Sequence, residues 1–197
     1  MCAFPACGDS RGRLIKAAMD AFVEKGYRVS VEHIAERAGV VKQTLYNHFP
    51  TKECLFEAVV SVASESILLP LDVESESVRA TLLGFAKVYR SRALNDEGIA
   101  MFRVVSGEAT RAPAFARDVF ATSADKTVGG LARFLDKAMT AGNLRRDNAR
   151  FAAEMLMSML VGIDRTRRLT GHTQLSAKAE TARVFKIVDC FLLAFAP

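Results

Sequence analysis

The stretch Val29–Lys52, VSVEHIAERAGVVKQTLYNHFPTK, constrains the fold of this chain more than any other. Two short helical patterns flank one Ala-Gly pair, and the second is polar where a buried helix would be apolar. In the first, Ile34, Ala35 and Ala38 supply an apolar face. Ser30 suits the N-cap, and Glu32 places negative charge near the positive helix end. At the corner Ala38-Gly39-Val40, Gly39 tolerates a positive φ and Val40 tucks an apolar side chain beneath the turn. The second helix runs from Val41 to about Phe49. Leu45 and Phe49 face inward, and Lys42, Gln43, Thr44, Tyr46, Asn47 and His48 face outward. A helix pair joined by a Gly-containing turn can lay its second helix into the major groove of DNA.

The outward face has matching chemistry. Gln and Asn can bond adenine edges, Lys can reach guanine acceptors or phosphate, and the Thr methyl can touch a thymine methyl. Tyr, His, Ser and the following Lys52 suit phosphate oxygens, which set register without reading bases. An ordinary solvent-facing helix has the same composition, so spacing alone leaves both readings open.

Ile34-Ala35, Ala38-Gly39-Val40, Thr44-Leu45-Tyr46, His48-Phe49, Lys52 and Leu55-Phe56 stand as they do in TetR-family transcriptional regulators, which the chain resembles here. The resemblance implies a DNA-binding face in which Lys42, Gln43, Thr44 and Asn47 lie toward base edges. Tyr46, His48 and Lys52 would contact phosphates, with Ser30 at the entry. Val41 departs from the pattern, since the family often has Ser there; the substitution removes an N-cap hydroxyl. The C-terminal part, from Met101 to Arg146 and above all the turn Gly142-Asn143-Leu144-Arg145, is similar to the AefR-like subgroup. That resemblance implies a double-stranded DNA operator, a small apolar or amphipathic effector ligand, and a homodimer through the last two helices. A ligand that tilts the fourth helix would then release the DNA.

The rest of the chain reads as helix after helix. Asp9 or Ser10 caps a helix over 11–25 with Leu14, Ile15, Ala18, Ala21 and Phe22 on one stripe, and Gly26 stops it. Phe22 and Tyr27 are expected to pack on Ile34 and Leu45. A fourth helix begins after the Thr51 cap and ends near Ile67, followed by a linker at Leu69-Pro70 and DVESES. Further helices are expected over 75–93, 97–109, 113–141, about 149–163 and 176–195, the long one bent or closely packed at Gly129-Gly130. No strand alternation appears, so the expected class is all-α. A terminal arm (1–10, disordered) precedes a three-helix helix-turn-helix DNA-binding domain (11–52), and a helical regulatory and dimerisation domain (53–197) follows. Phe85, Tyr89, Phe102, Phe120, Met155 and Met159, with Met101 beside Phe102, are candidates to line an apolar ligand pocket. Aromatic and Met side chains at this spacing are also ordinary core. Tyr89 stands out because a buried hydroxyl needs a partner.

Net charge is +5, but the first 60 residues carry eight Lys/Arg against seven Asp/Glu, so a DNA reading rests on where charges sit. Arg11, Arg13 and Lys16 can widen the basic footprint. Arg165, Arg167 and Arg168 read as a solvated helix end. No apolar run approaches the length of a membrane span, and the opening MCAFPACGDS lacks a signal-peptide pattern. Cys2, Cys7, Cys54 and Cys190 with His33, His48 and His172 show no metal-ligand spacing. Free thiols in a reducing cytoplasm are expected, a redox pair Cys2/Cys7 being the alternative. There is no GxSxG, P-loop or HExxH, and neither a catalytic site nor a cofactor is expected. A ligand-dependent activator on the same fold, or a small-molecule binding protein without DNA readout, are the other functions this sequence accommodates.

Overall fold

The computed structural model describes residues 9–72 and 77–197. The expected arm (apart from Asp9 and Ser10), the Cys2/Cys7 pair and most of the DVESES linker lie outside the described residues. Among the described residues ten α-helices form: α1 Ser10–Lys25, α2 Val31–Arg37, α3 Lys42–His48, α4 Lys52–Asp72, α5 Val78–Leu94, α6 Asp96–Glu108, α7 Pro113–Phe120, α8 Lys126–Thr140, α9 Ala149–Leu169 and α10 Ala177–Ala194. Among the described residues there is no strand, and the all-α expectation holds. Two compact units divide the chain. The first runs through Val62 and takes in Ala100–Thr122; the second holds Ala63–Ile99 and Ser123–Pro197.

The first unit is built on an aromatic cluster. Phe22 meets Phe56 edge to face at 4.9 Å, and Phe115 lies 4.7 Å from Tyr27 and 5.2 Å from Phe56. Ile34, Leu45 and Phe49 are buried in the same core. The sequence reading confines this core to the first helices, whereas Phe115 and Val119 of α7 complete it. Pro113 starts α7 at its first turn, where its missing N–H costs nothing.

In the second unit α5 packs on α9 and α10, and α8 lies along α9. Leu82, Phe85, Leu131, Leu135, Leu156, Leu160, Val188 and Phe191 are fully buried there. Side-chain oxygens of Ser77, Asn148 and Ser176 cap α5, α9 and α10. Three expectations change. The fourth helix does not stop at Ile67 but carries Leu69 and Pro70 inside its last turns, to Asp72. Gly84 of α5 packs against the proline, since a Cβ there would lie 3.4 Å from the Pro70 Cβ. The single helix expected over 113–141 is interrupted by a π-helical turn, Ala121–Asp125, rather than at Gly129-Gly130. Gly130 instead permits a close approach, because a Cβ there would fall 2.5 Å from Leu68 Cδ2. Arg167 and Arg168, expected to be solvated, are held by Asp164 and by Asp96 with the Leu94 and His172 carbonyls.

By length and composition α4 could cross a membrane, which a search for unbroken apolar runs misses because Glu57, Ser61, Ser64 and Glu65 interrupt it. Its Leu55, Phe56 and Val59 are buried in the first core and Ile67 in the second, so these apolar side chains already have protein partners.

Candidate nucleic-acid interface

The corner between α2 and α3 follows from local chemistry. Ser30 Oγ accepts the His33 N–H at 3.2 Å and starts α2. Gly39 adopts φ 66°, and the Val40 N–H returns to the Ala35 carbonyl at 3.0 Å. Val41 occupies the N-cap of α3, where it makes no side-chain hydrogen bond because it has no capping oxygen, and it is 70% exposed. Leu45 and Phe49 anchor α3 in the core, leaving Lys42, Gln43, Tyr46, Asn47 and His48 exposed and Thr44 half-buried.

The outward side chains are pre-ordered by one another. Gln43 Nε2 donates to Asn47 Oδ1 at 3.0 Å, so the two amides present a joined edge one helical turn long. Lys42 Nζ pairs with Glu32 of α2 at 2.5 Å and lies 5.7 Å from the Tyr46 ring centroid. The Glu32 carboxylate raises the Lys42 pKa, and the lysine lowers that of Glu32. His48 Nε2 shares a hydrogen bond of 2.7 Å with Ser10 Oγ at the start of α1. These pairs are exposed and individually weak, so a phosphate can displace them at small cost.

Lys52 is more deeply engaged than a surface phosphate contact would be. Its ammonium donates to the Tyr27 carbonyl and lies 4.5 Å from the centroid of the Tyr27 ring, while Tyr27 Oη donates to Glu53 at 2.7 Å. Burial lowers the Lys52 pKa, and burial with the Glu53 hydrogen bond raises that of Tyr27. Sequence spacing singles out Lys52 but not Tyr27 or Glu53, whose link crosses 26 residues.

Residues 14–59 match the profile of bacterial regulatory proteins of the tetR family, and residues 80–197 match that of the AefR-like transcriptional repressor, C-terminal domain. The chain belongs to the TetR family. An uncharacterised helix-turn-helix-type transcriptional regulator of Mycobacterium tuberculosis is 27% identical over 150 residues, 76% of this chain and 77% of its own length. A TetR-family protein from Mesorhizobium loti superposes over 95% of this chain and 97% of its own, with a TM-score of 0.79 at 25% identity. The flavonoid-responsive regulator FrrA does so over 97% and 99%, with a TM-score of 0.75 at 30% identity. This TetR-family chain is therefore a transcriptional regulator with a helix-turn-helix DNA-binding domain, not an enzyme.

The six ligand candidates do not fall in one unit. Phe102 and Phe120 belong to the first, where they are 38% and 58% exposed. Phe85, Tyr89, Met155 and Met159 belong to the second. There Phe85 and Tyr89 stack at 5.7 Å in the core, Met155 packs beside them in the same cluster, and Met159 is 38% exposed. Tyr89 is buried, which raises its pKa, and its hydroxyl is hydrogen-bonded with Arg165. Among the described residues no cluster of His, Cys, Asp and Glu could hold a metal ion, and Cys54 and Cys190 are free thiols.

Proposed function

We propose that this TetR-family regulator is a cytoplasmic homodimeric repressor that a small-molecule effector releases from a palindromic operator. The observation that carries the DNA half is the α3 face, with its Gln43–Asn47 amide pair beside Lys42, Thr44 and Tyr46. The two amides read bases; Tyr46, His48 and Ser30 set register on phosphates, and Lys52 would join them only by leaving the Tyr27 carbonyl. The repressor assignment draws support from the C-terminal profile. The effector would sit in the second unit beside the stacked Phe85 and Tyr89, and it must prefer the DNA-free state, typically by about 1–3 kcal/mol of coupling.

The dimer is supported by α9 and α10. Phe151, Met155, Met159 and Ile163 recur every four residues along α9, and three of them are 58%, 38% and 59% exposed in the protomer, for Phe151, Met159 and Ile163. Leu193 of α10 is 78% exposed. An apolar stripe of this length is costly in water, and two-fold pairing with a second copy would cover it. Two recognition helices would then enter successive major grooves, about 34–36 Å apart.

Selection of bound duplexes from a random pool at about 150 mM salt tests the reading. A palindromic consensus recovered by wild type and lost with Tyr46→Ala supports it, and enrichment of single half-sites would overturn the dimer. Reporter output from the recovered operator, with and without the regulator, separates repression from activation.

A further inference from the structure

A cavity of about 240 Å³ opens in the second unit between the last two turns of α5, the end of α9 and the first turns of α10. Thr173, Gln174 and Leu175 of the extended segment between α9 and α10 form part of its wall. It contains none of the aromatic or Met side chains proposed above for the effector.

Its charge is uneven. Lys87, Arg90, Arg167 and Arg168 face two carboxylates, Asp164 and Glu180. Arg90, 1% exposed, is fully committed: it donates to both Glu180 oxygens at 2.5 and 2.7 Å, to Asp164 at 3.1 Å and to the Leu160 carbonyl. Arg168 is occupied by Asp96 at 2.5 Å and by two carbonyls. Asp164 also receives Arg183 at 3.0 Å and Arg167 at 2.9 Å. Burial works against ionisation of Asp164, but the hydrogen bonds from Arg90 and Arg167 with the nearby arginine charges hold its pKa below the ordinary value. Both carboxylates are thus neutralised by arginines, and the surplus in the cavity is positive.

Three groups on the wall keep donors to offer. Arg167 gives only Nη1 to Asp164. Asn95 uses its Oδ1 to accept the Gly98 N–H at 2.7 Å, which leaves its amide N–H groups. Ser91 of α5 adds a hydroxyl to the same wall. Opposite in character, Leu94, Leu175 and Val184 supply apolar wall. At about 240 Å³ the cavity lies below the roughly 300–1,000 Å³ usual for ligand pockets, which suits a small occupant.

We propose that this cavity binds a small aliphatic carboxylate, its anion on Arg167 with Ser91 and Asn95, and its short chain against Leu94, Leu175 and Val184. A guanidinium with free N–H groups matches a carboxylate in geometry and charge, whereas the apolar wall would be wasted on inorganic phosphate. Gln174 and Arg168 both bond the Leu94 carbonyl, so an occupant would touch the corner from which α6 starts. The site stands whether or not the chain is a repressor.

Titration of the full chain with butyrate, hexanoate and succinate by isothermal calorimetry tests it, with butyramide and inorganic phosphate as comparators. Saturable binding of at least one carboxylate is expected, with butyramide weaker by about tenfold or more. Arg167→Gln, at a half-exposed position, should raise the dissociation constant by a similar factor. Ser91→Met, which fills the space, should abolish binding while circular dichroism and melting temperature stay at wild-type values. Absence of binding by any carboxylate up to about 10 mM, phosphate binding as tightly as the carboxylates, or wild-type affinity in both variants would each overturn the assignment.

Discussion

The two units of this chain place their polar and apolar groups in contrasting ways. The first keeps an aromatic core dry, with Phe22, Phe56 and Leu45 at 0% exposure, and turns a polar helix face outward. The second encloses Arg90 with Asp164 and Glu180, yet leaves Phe151, Ile163 and Leu193 in solvent. Exposed polar groups on α3 are cheap to keep and free to meet a ligand. Buried charges and bare apolar stripes are costly, and such features mark places where a protein meets something else. The first unit therefore displays its candidate interface openly, whereas in the second the candidate surfaces stand out as groups that look misplaced.

Breaking the dry core is the largest test. Phe22→Ala should cost about 3–5 kcal/mol, because it removes a fully buried ring from a cluster of four aromatic side chains; chemical denaturation followed by far-ultraviolet circular dichroism measures it. An effect below 1 kcal/mol would mean that Phe115 and Tyr27 collapse into the gap.

The buried charges should respond differently. Asp164→Asn is expected to cost about 2 kcal/mol near neutral pH, since hydrogen bonds to charged groups are lost. Asp164 has a folded pKa depressed below its unfolded value, so its contribution is present above about pH 4 and is lost as pH falls through the folded pKa. The stability gap between wild type and variant should therefore close below about pH 4, read as converging urea midpoints. Phe22→Ala should show no such convergence, which sharpens the contrast between the units.

Smaller effects belong to the exposed face. Asn47→Ala should relax base preference at one operator position by about 1–3 kcal/mol, with little change in melting temperature. Equal weakening on every duplex would assign Asn47 to the backbone instead. Val41→Ser, which supplies the absent capping oxygen, should stabilise the first unit by about 0.5–1 kcal/mol, measurable as a rise in midpoint.

How much of this was legible depends on sequence separation. The α2–α3 corner rests on Ser30, Gly39 and the four-residue step from Leu45 to Phe49, all local, and the structure reproduces it. The helix start at Thr51 was equally plain, and at the first helix the structure chooses Asp9 from the pair Asp9 or Ser10, because a cap bonds an amide two or three residues away. The extension of α4 through Pro70 was not, since Leu68, Ile67 and Leu71 at its end pack into a core built by distant helices. At the candidate interface the outward positions could be read, but the commitment of Lys52 to Tyr27 could not.

By itself the sequence determined that the chain is helical, where most helices begin, and that α3 turns a polar face outward. Helical periodicity and capping act over a few residues, so the order of side chains contains them. Only the tertiary structure decided that Phe115 belongs to the first core, that Arg90 is buried against Glu180 90 residues away, and that Arg167 faces a cavity. These pairings arise when distant helices compete to bury apolar area and must satisfy every charge they enclose. No local pattern records the outcome of that competition.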